Sequence, residues 1–208
     1  MSDAVVSLAD ATAQMTAAGS MFETERTSVN GIEMTVWKHA PATLRQILDL
    51  SLAHASRDFL VYEGQRFTFD EHYRAASTLA GRLIAGGVAK GDRVAIASRN
   101  LPQWVIAFWG IVLTGAVVVP INAWWTPEEL QYGLSDSGTS VLFVDEERLE
   151  RVRSSLDQLP ALSTIVVISE DPSRPARLGA AHARVRTIDF NEYLGDISPS
   201  AAPPDVEL

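Results

Sequence analysis

The residues equipped for chemistry are Ser98-Arg99-Asn100, Asn122, Asp145 and the adjacent indoles Trp124 and Trp125. The serine triplet, Asn122 and Asp145 each follow a short apolar run that reads as a buried strand. An α/β sheet binds its ligands where such strands end. Nothing near them in sequence would activate a nucleophile. Strand-end bracketing and helix capping therefore account for Arg99, Asn100 and Asn122 before catalysis does. Trp124 and Trp125 cannot both point into one helix–sheet seam, so one of them must reach a partner, a missing domain or a ligand channel.

Other chemical groups are dispersed. His39, His54, His72 and His182 fall in separate expected elements, without metal-ligand spacing. Gly86-Gly87 follows a helix and matches neither nucleotide-binding glycine pattern. Glu128 and Glu129 are explained by helix-start electrostatics, and no G-x-S-x-G elbow occurs. No residue is assigned a catalytic or metal-binding role.

Composition narrows the class further. The 208 residues are 47% hydrophobic and include five tryptophans, enough for a sizeable core. A formal charge of −9, with scattered Lys and Arg, gives no footprint for nucleic acid. With no cysteine there is neither a disulfide framework nor a thiolate zinc site, which fits a cytoplasmic protein. The first 25 residues lack Lys and Arg, unlike a secretory or mitochondrial leader. The uncharged stretch between Arg99 and Glu128 is broken by Pro102, Gly115 and Pro120. It reads as two short buried elements and not as a membrane span.

The elements that must position these groups follow in order. Residues 1–35 are expected to be a poorly ordered or extended arm. A helix over TLRQILDLSLAHA begins with Thr43 and Gln46 as a capping box, with Leu44, Ile47, Leu48 and Leu52 on one face. FLVY-EGQ-RFTF reads as a hairpin, and Thr68 with Glu71 caps the helix after it. Val94–Ala97 is a strand apolar on both faces. Asn100 and Gln103 repeat the cap pattern ahead of a helix carrying Trp104, Val105, Phe108, Ile111 and Val112 inward. Strands follow at 116–119, 140–144, 164–168 and 186–188, with helices from Thr126-Pro127 and over 146–156. A proline-rich loop precedes the last strand, FNEYLG is a helical turn, and 196–208 is linker-like. Strand–helix alternation with long connections requires a mostly parallel sheet flanked by helices, with the amino-terminal hairpin added to it.

A resemblance is carried by FLVYEGQRFTFDEHYRAASTLAGRLIAGGVAKGDRVAIASRN, by W-x-x-A-F-W-G at 104–110 and by TGAVVVPINAWWTPEELQYGLSDSG. Over residues 38–194 the chain resembles the amino-terminal part of AMP-forming acyl-CoA synthetases. Their adenylate-forming superfamily also includes luciferases, 4-coumarate ligases and peptide-synthetase adenylation domains. The INAWWTPEEL form and the NGIEMTVWKHAPATL lead-in are most similar to the branch acting on fatty or other carboxylic acids.

The resemblance implies an α/β amino-terminal subdomain over 36–195, with 196–208 leading toward the rest of an enzyme. It implies that the intact parent uses ATP, CoA and Mg2+ to activate a carboxylic acid as an acyl-adenylate and transfer it to CoA. The family's phosphate loop, its aromatic-Thr-Glu motif, its ribose-binding aspartate and its carboxyl-terminal lysine all come later than Leu208. The segment alone is thus expected to be inactive and to bind none of these cofactors well. At the position of Trp124 many relatives carry a basic residue, which in some helps hold the CoA phosphate. An indole cannot do that ionic work, so the resemblance leaves Trp124 as a CoA-channel or interface contact of another kind. Expected partners are the acid substrate, the missing carboxyl-terminal portion and a second copy. Two other readings stay open: a non-catalytic binding or scaffold module, and a sister adenylate-forming enzyme without CoA transfer.

Overall fold

The computed structural model describes residues 6–171 and 173–206, and the first five positions of the expected arm and the last two of the expected linker lie outside them. The chain divides into two compact units, Met1–Thr43 and Leu44–Leu208.

The first unit corrects the expectation of an arm. Helix α1 (Leu8–Met15) starts on Ser7, whose Oγ accepts the Asp10 amide. Strands β1 (Thr24–Val29) and β2 (Ile32–Trp37) then form an antiparallel hairpin. Its two-residue turn is Asn30-Gly31, both at positive φ (51° and 80°), the conformation that matches the twist of the flanking strands. This dipeptide between alternating residues was the signal for a hairpin here. The Phe22 and Trp37 rings pack edge to face at 6.0 Å.

In the second unit, α2 (Leu44–Leu50) is shorter than expected and passes into a 3-10 turn, Ser51–His54. Of its apolar positions only Leu48 is buried, while Leu44, Ile47 and Leu50 stay exposed. Strands β3 (Asp58–Tyr62) and β4 (Gln65–Thr68) form the expected hairpin. Helix α3 (Phe69–Ala85) opens with the expected reciprocal cap: Thr68 Oγ1 accepts the Glu71 amide, and the Glu71 carboxylate accepts the Thr68 amide.

The central sheet contains β5 (Arg93–Ala97), β6 (Val117–Pro120), β7 (Val141–Asp145), β8 (Thr164–Ile168) and β9 (Arg186–Asp189). Their spatial order is β6-β5-β7-β8-β9, every pair parallel. Helices α4 (Pro102–Val112), α5 (Pro127–Asp136), α6 (Glu146–Arg153) and α7 (Phe190–Leu194) complete the unit.

Strand residues alternate between two cores, as a period of two requires. Val94, Ile96, Val141, Phe143, Val166 and Ile168 face α3, α4 and α7. Ala95, Ala97, Leu142, Val144, Ile165 and Val167 face α5 and α6. Both faces of the sheet are therefore covered within this unit, and the apolar side chains left exposed lie on helices, loops, the β3 strand of the hairpin and the β6 edge. At that edge Val117 is half exposed.

Two local expectations are corrected. Asn100 does not cap α4: the N-cap is Leu101, without a side-chain hydrogen bond, and Pro102 fills the first turn. Proline lacks the first amide and has the helical φ built in, so no polar cap is needed to start the helix there. The inward face of α4 is Ile106, Ala107, Gly110 and Ile111, while Trp104 and Phe108 stack on each other at its margin and are only partly buried.

Candidate functional site

The strand order gives the sheet one point where successive connections depart in opposite directions. The chain leaves β5 for β6 on one side, then returns past β5 to β7 on the other. Ligands of open α/β sheets bind outside the carboxyl ends of the strands at such a point. Ser98 and Arg99 follow β5 here, Asn122 and Trp124 follow β6, and Asp145 ends β7, so the fold does gather the residues singled out from sequence.

Asp145 is fully buried and organises the edge. Its Oδ2 accepts the Arg99 amide across the gap at 2.9 Å, while Oδ1 caps α6 by accepting the Arg148 amide at 2.9 Å. The Arg148 guanidinium, also fully buried, returns to Asp145 Oδ2 through Nη1 at 3.0 Å. Its Nη1 also meets Glu147 at 3.1 Å, and its Nε donates to the Ala123 carbonyl at 2.6 Å. Arg151 supports the same loop from Nη1, with the Trp125 carbonyl at 2.8 Å and that of Ala123 at 3.4 Å. One carboxylate thus serves two amides and a guanidinium, and two guanidinium groups hold the loop after β6.

On that held loop the two indoles diverge. Trp125 packs inward among the residues around α5, close over Gly133. Trp124 is 73% exposed, with the guanidinium carbons of Arg148 and Arg99 at 5.7 Å and 6.0 Å from its ring centroid. Those distances suit cation–π attraction. Asn122 orders the turn by accepting the Trp124 amide on Oδ1 at 2.9 Å, as expected for a backbone role. Ser98 is buried and donates to the Arg99 carbonyl at 2.9 Å. Asn100 lies exposed at the rim of a cavity of about 300 Å³ formed by Leu60–Tyr62 and the start of α4.

The histidines are scattered. His39 lies 3.6 Å from Glu23, His182 3.2 Å from Asp157, and His54 is tilted on Phe69. His72 is buried against Phe59, and burial pushes its pKa down to about 4. Beside the edge, Glu146 receives both Nη atoms of Arg174 at 2.6 and 2.8 Å, the Arg177 amide at 2.7 Å and the Arg177 guanidinium. The Arg174 hydrogen bonds lead in holding its carboxyl at about 2, against some opposing burial.

Arg148 and Arg151 are the residues that sequence reading missed. The available signal was the acid at Asp145, a helix-capping type, followed by arginine at the third and sixth positions after it. Chemically, the edge offers an exposed aromatic face, a neighbouring cation and a rigid backbone. It has no activated nucleophile or acid–base pair.

Comparison with known proteins bears on this arrangement. The pattern of the family described as AMP-binding enzyme matches residues 30–205. The chain is 31% identical over 127 residues to 4-hydroxybutyrate–CoA ligase 2 of Metallosphaera sedula, covering 61% of this chain and 23% of that protein. It is 38% identical over 101 residues to the long-chain-fatty-acid–CoA ligase of Bacillus subtilis, covering 48% and 18%. Its fold superposes on the anthranilate CoA ligase AuaEII, solved in complex with anthranoyl-AMP, with a TM-score of 0.65 at 29% identity. That superposition covers 76% of this chain and 29% of the ligase. The chain spans less than a third of the length of each of these proteins. With the family pattern running through the added hairpin, the whole parallel sheet and the strand-end edge, the chain belongs to the AMP-binding enzyme family.

Proposed function

We propose that this chain is the amino-terminal scaffold of a cytoplasmic, ATP-dependent acyl-CoA ligase. Its intact form activates a carboxylic acid, of the fatty class, to an acyl-adenylate and transfers the acyl group to CoA, releasing AMP and pyrophosphate. The observation carrying this reading is the family match over 30–205, together with an alignment to a CoA ligase relative that covers only 23% of that protein. The segment supplies walls and not reacting groups, so by itself it is inactive.

The donor set agrees with a supporting role. Among the described residues no three His, Asp or Glu side chains converge to hold a metal ion. The buried carboxylates Asp145 and Glu146 are committed to arginines. In this proposal ATP and Mg2+ are held by the rest of the intact ligase. CoA, which supplies the thiol that displaces AMP, fits better. Trp124 offers it a stacking face and Arg99 a neighbouring cation, in place of the phosphate-holding base of many relatives. The exposed apolar side of α2 (Leu44, Ile47 and Leu50) suits contact with the rest of the enzyme. Among the described residues no helix is long and apolar enough to cross a membrane.

The first test is the mass of the natural product, detected in its source cell with an antibody against this segment. A product several times heavier than 22.6 kDa supports a parent ligase, to be assayed for AMP release dependent on ATP, CoA and acid. A band at 22.6 kDa overturns the reading in favour of a stand-alone binding module. In an active parent, Trp124→Ala should raise the KM for CoA while leaving stability nearly unchanged. An unaltered KM removes Trp124 from the CoA path.

A further inference from the structure

We infer that Arg148 is a positioning residue for Trp124: from its buried site it fixes the indole that faces the ligand, without meeting the ligand itself. The inference rests on Trp124 being a contact residue, as proposed above, and adds what holds it.

Three observations converge on it. The backbone either side of Trp124 is pinned: Arg148 Nε holds the Ala123 carbonyl at 2.6 Å, and Arg151 Nη1 holds that of Trp125 at 2.8 Å. The ring itself lies 5.7 Å from the Arg148 guanidinium carbon. Finally, Arg148 Nη2 is buried and finds no hydrogen-bond acceptor among the described residues.

A buried guanidinium donor without an acceptor is costly, since its desolvation goes unrecovered. The aromatic face is the electron-rich group within reach, and it satisfies such a donor in a way that depends on ring orientation. The backbone and the ring are thus set by one group, itself held in place by Asp145 at 3.0 Å. An aromatic surface fixed before binding loses less freedom when a ligand arrives.

Stability and positioning separate in Arg148→Lys. An ammonium at this site keeps the charge opposite Asp145, but it has no Nε–H for Ala123 and no planar face for the indole. The chain is labelled with 5-fluorotryptophan, and the Trp124 signal is identified as the one missing in Trp124→Phe. The expected result for Arg148→Lys is a folded protein in which the Trp124 fluorine line shifts and loses its narrow width while the other four tryptophan lines stay in place. A purely structural role would move the inner tryptophans, Trp125 above all, along with Trp124.

Should the lysine variant not fold, Asp145→Asn/Arg148→Met removes both buried charges together while keeping an amide-accepting oxygen at position 145. The same selective loss is expected there. A folded variant of either kind whose Trp124 line matches the unsubstituted chain overturns the inference, and so does a uniform shift of all five lines. Failure of the CoA reading shows separately, as an active parent in which Trp124→Ala leaves the CoA KM unchanged.

Discussion

Asp145 and Arg99 are joined across the opening between β5 and β7: the buried carboxylate at the end of one strand accepts the backbone amide just past the end of the other, at 2.9 Å. A parallel sheet parts at this place because its connections diverge there. In this chain a side chain ties the parting strands together. The same carboxylate caps α6 and pairs with Arg148, so three structural functions depend on one residue.

Asp145→Ala should therefore be among the most destabilising single changes in the chain. It leaves two amides without their acceptor and a fully buried guanidinium without its main counter-charge, which together cost about 3–5 kcal/mol. Asp145→Asn keeps an acceptor oxygen and should lose markedly less. Urea unfolding of the two variants checks the order, and equal losses would show that the charge, and not the acceptor geometry, dominates.

Much of this architecture is legible in the sequence because it rests on local rules. Thr68 with Glu71 and Thr126 with Glu129 form capping boxes where the cap-to-acid spacing places them. The apolar runs at 94–97 and 164–168 become strands buried on both faces. The hairpin at Asn30-Gly31 was equally available as a turn signal, although residues 1–35 were expected to be an arm. Trp124 and Trp125 were separable in principle, since adjacent indoles must diverge; which of them turns outward is decided by Gly133, whose missing side chain makes room for Trp125. The spacing from Asp145 signals that Arg148 pairs with it, but not that Arg148 holds the loop after β6. Its acceptor on Ala123 lies 25 positions away, and only the crossover from β6 to β7 brings the two together.

The seam between α3 and α4 depends on Gly110. A Cβ there would come within 2.8 Å of Leu79 Cδ2 and 3.0 Å of Leu79 Cβ, and Leu79 is fully buried with no room to yield. Overpacking of this kind costs about 1–3 kcal/mol, against a helix-propensity gain for alanine of at most about 1 kcal/mol. Gly110→Ala should thus lower stability on balance. In a double-mutant cycle with Leu79→Ala the two losses should be less than additive, because the smaller partner relieves the clash. Strict additivity in chemical denaturation would place the strain elsewhere.

His72 should make the fold sensitive to mild acid. Burial lowers its pKa from 6.5 to about 4, while a ring N–H donating to the Val105 carbonyl opposes the shift. Between those values the unfolded chain binds the proton and the folded chain does not, so stability falls as pH drops from 6.5 toward 4. Two and a half pKa units correspond to about 3 kcal/mol across the window. His72→Gln, which keeps an N–H donor, should remove most of this slope between pH 7 and pH 5 in urea titrations. A slope unchanged by the substitution would assign the sensitivity to other groups.

Glu146 controls a lower window. Its folded pKa of about 2 lies below the ordinary 4.5, first because of the Arg174 hydrogen bonds and then through the amide and side chain of Arg177, while burial opposes the shift. A depressed carboxyl contributes stability that is complete above the unfolded value near 4.5 and is lost as pH falls toward 2. The side chain is only 8% exposed, but Arg174 and above all Arg177 reach solvent, so screening reduces what these pairs contribute. The carboxylate also ties residues 174–177 to the start of α6, so its protonation should loosen that segment first. Arg174→Met should raise the Glu146 pKa and move the acid transition upward, with amide exchange at Ala176 and Arg177 accelerating before the sheet opens. If those amides exchange only together with β7 and β8, the Glu146 contacts hold no separately opening segment, and the acid loss belongs to the whole fold.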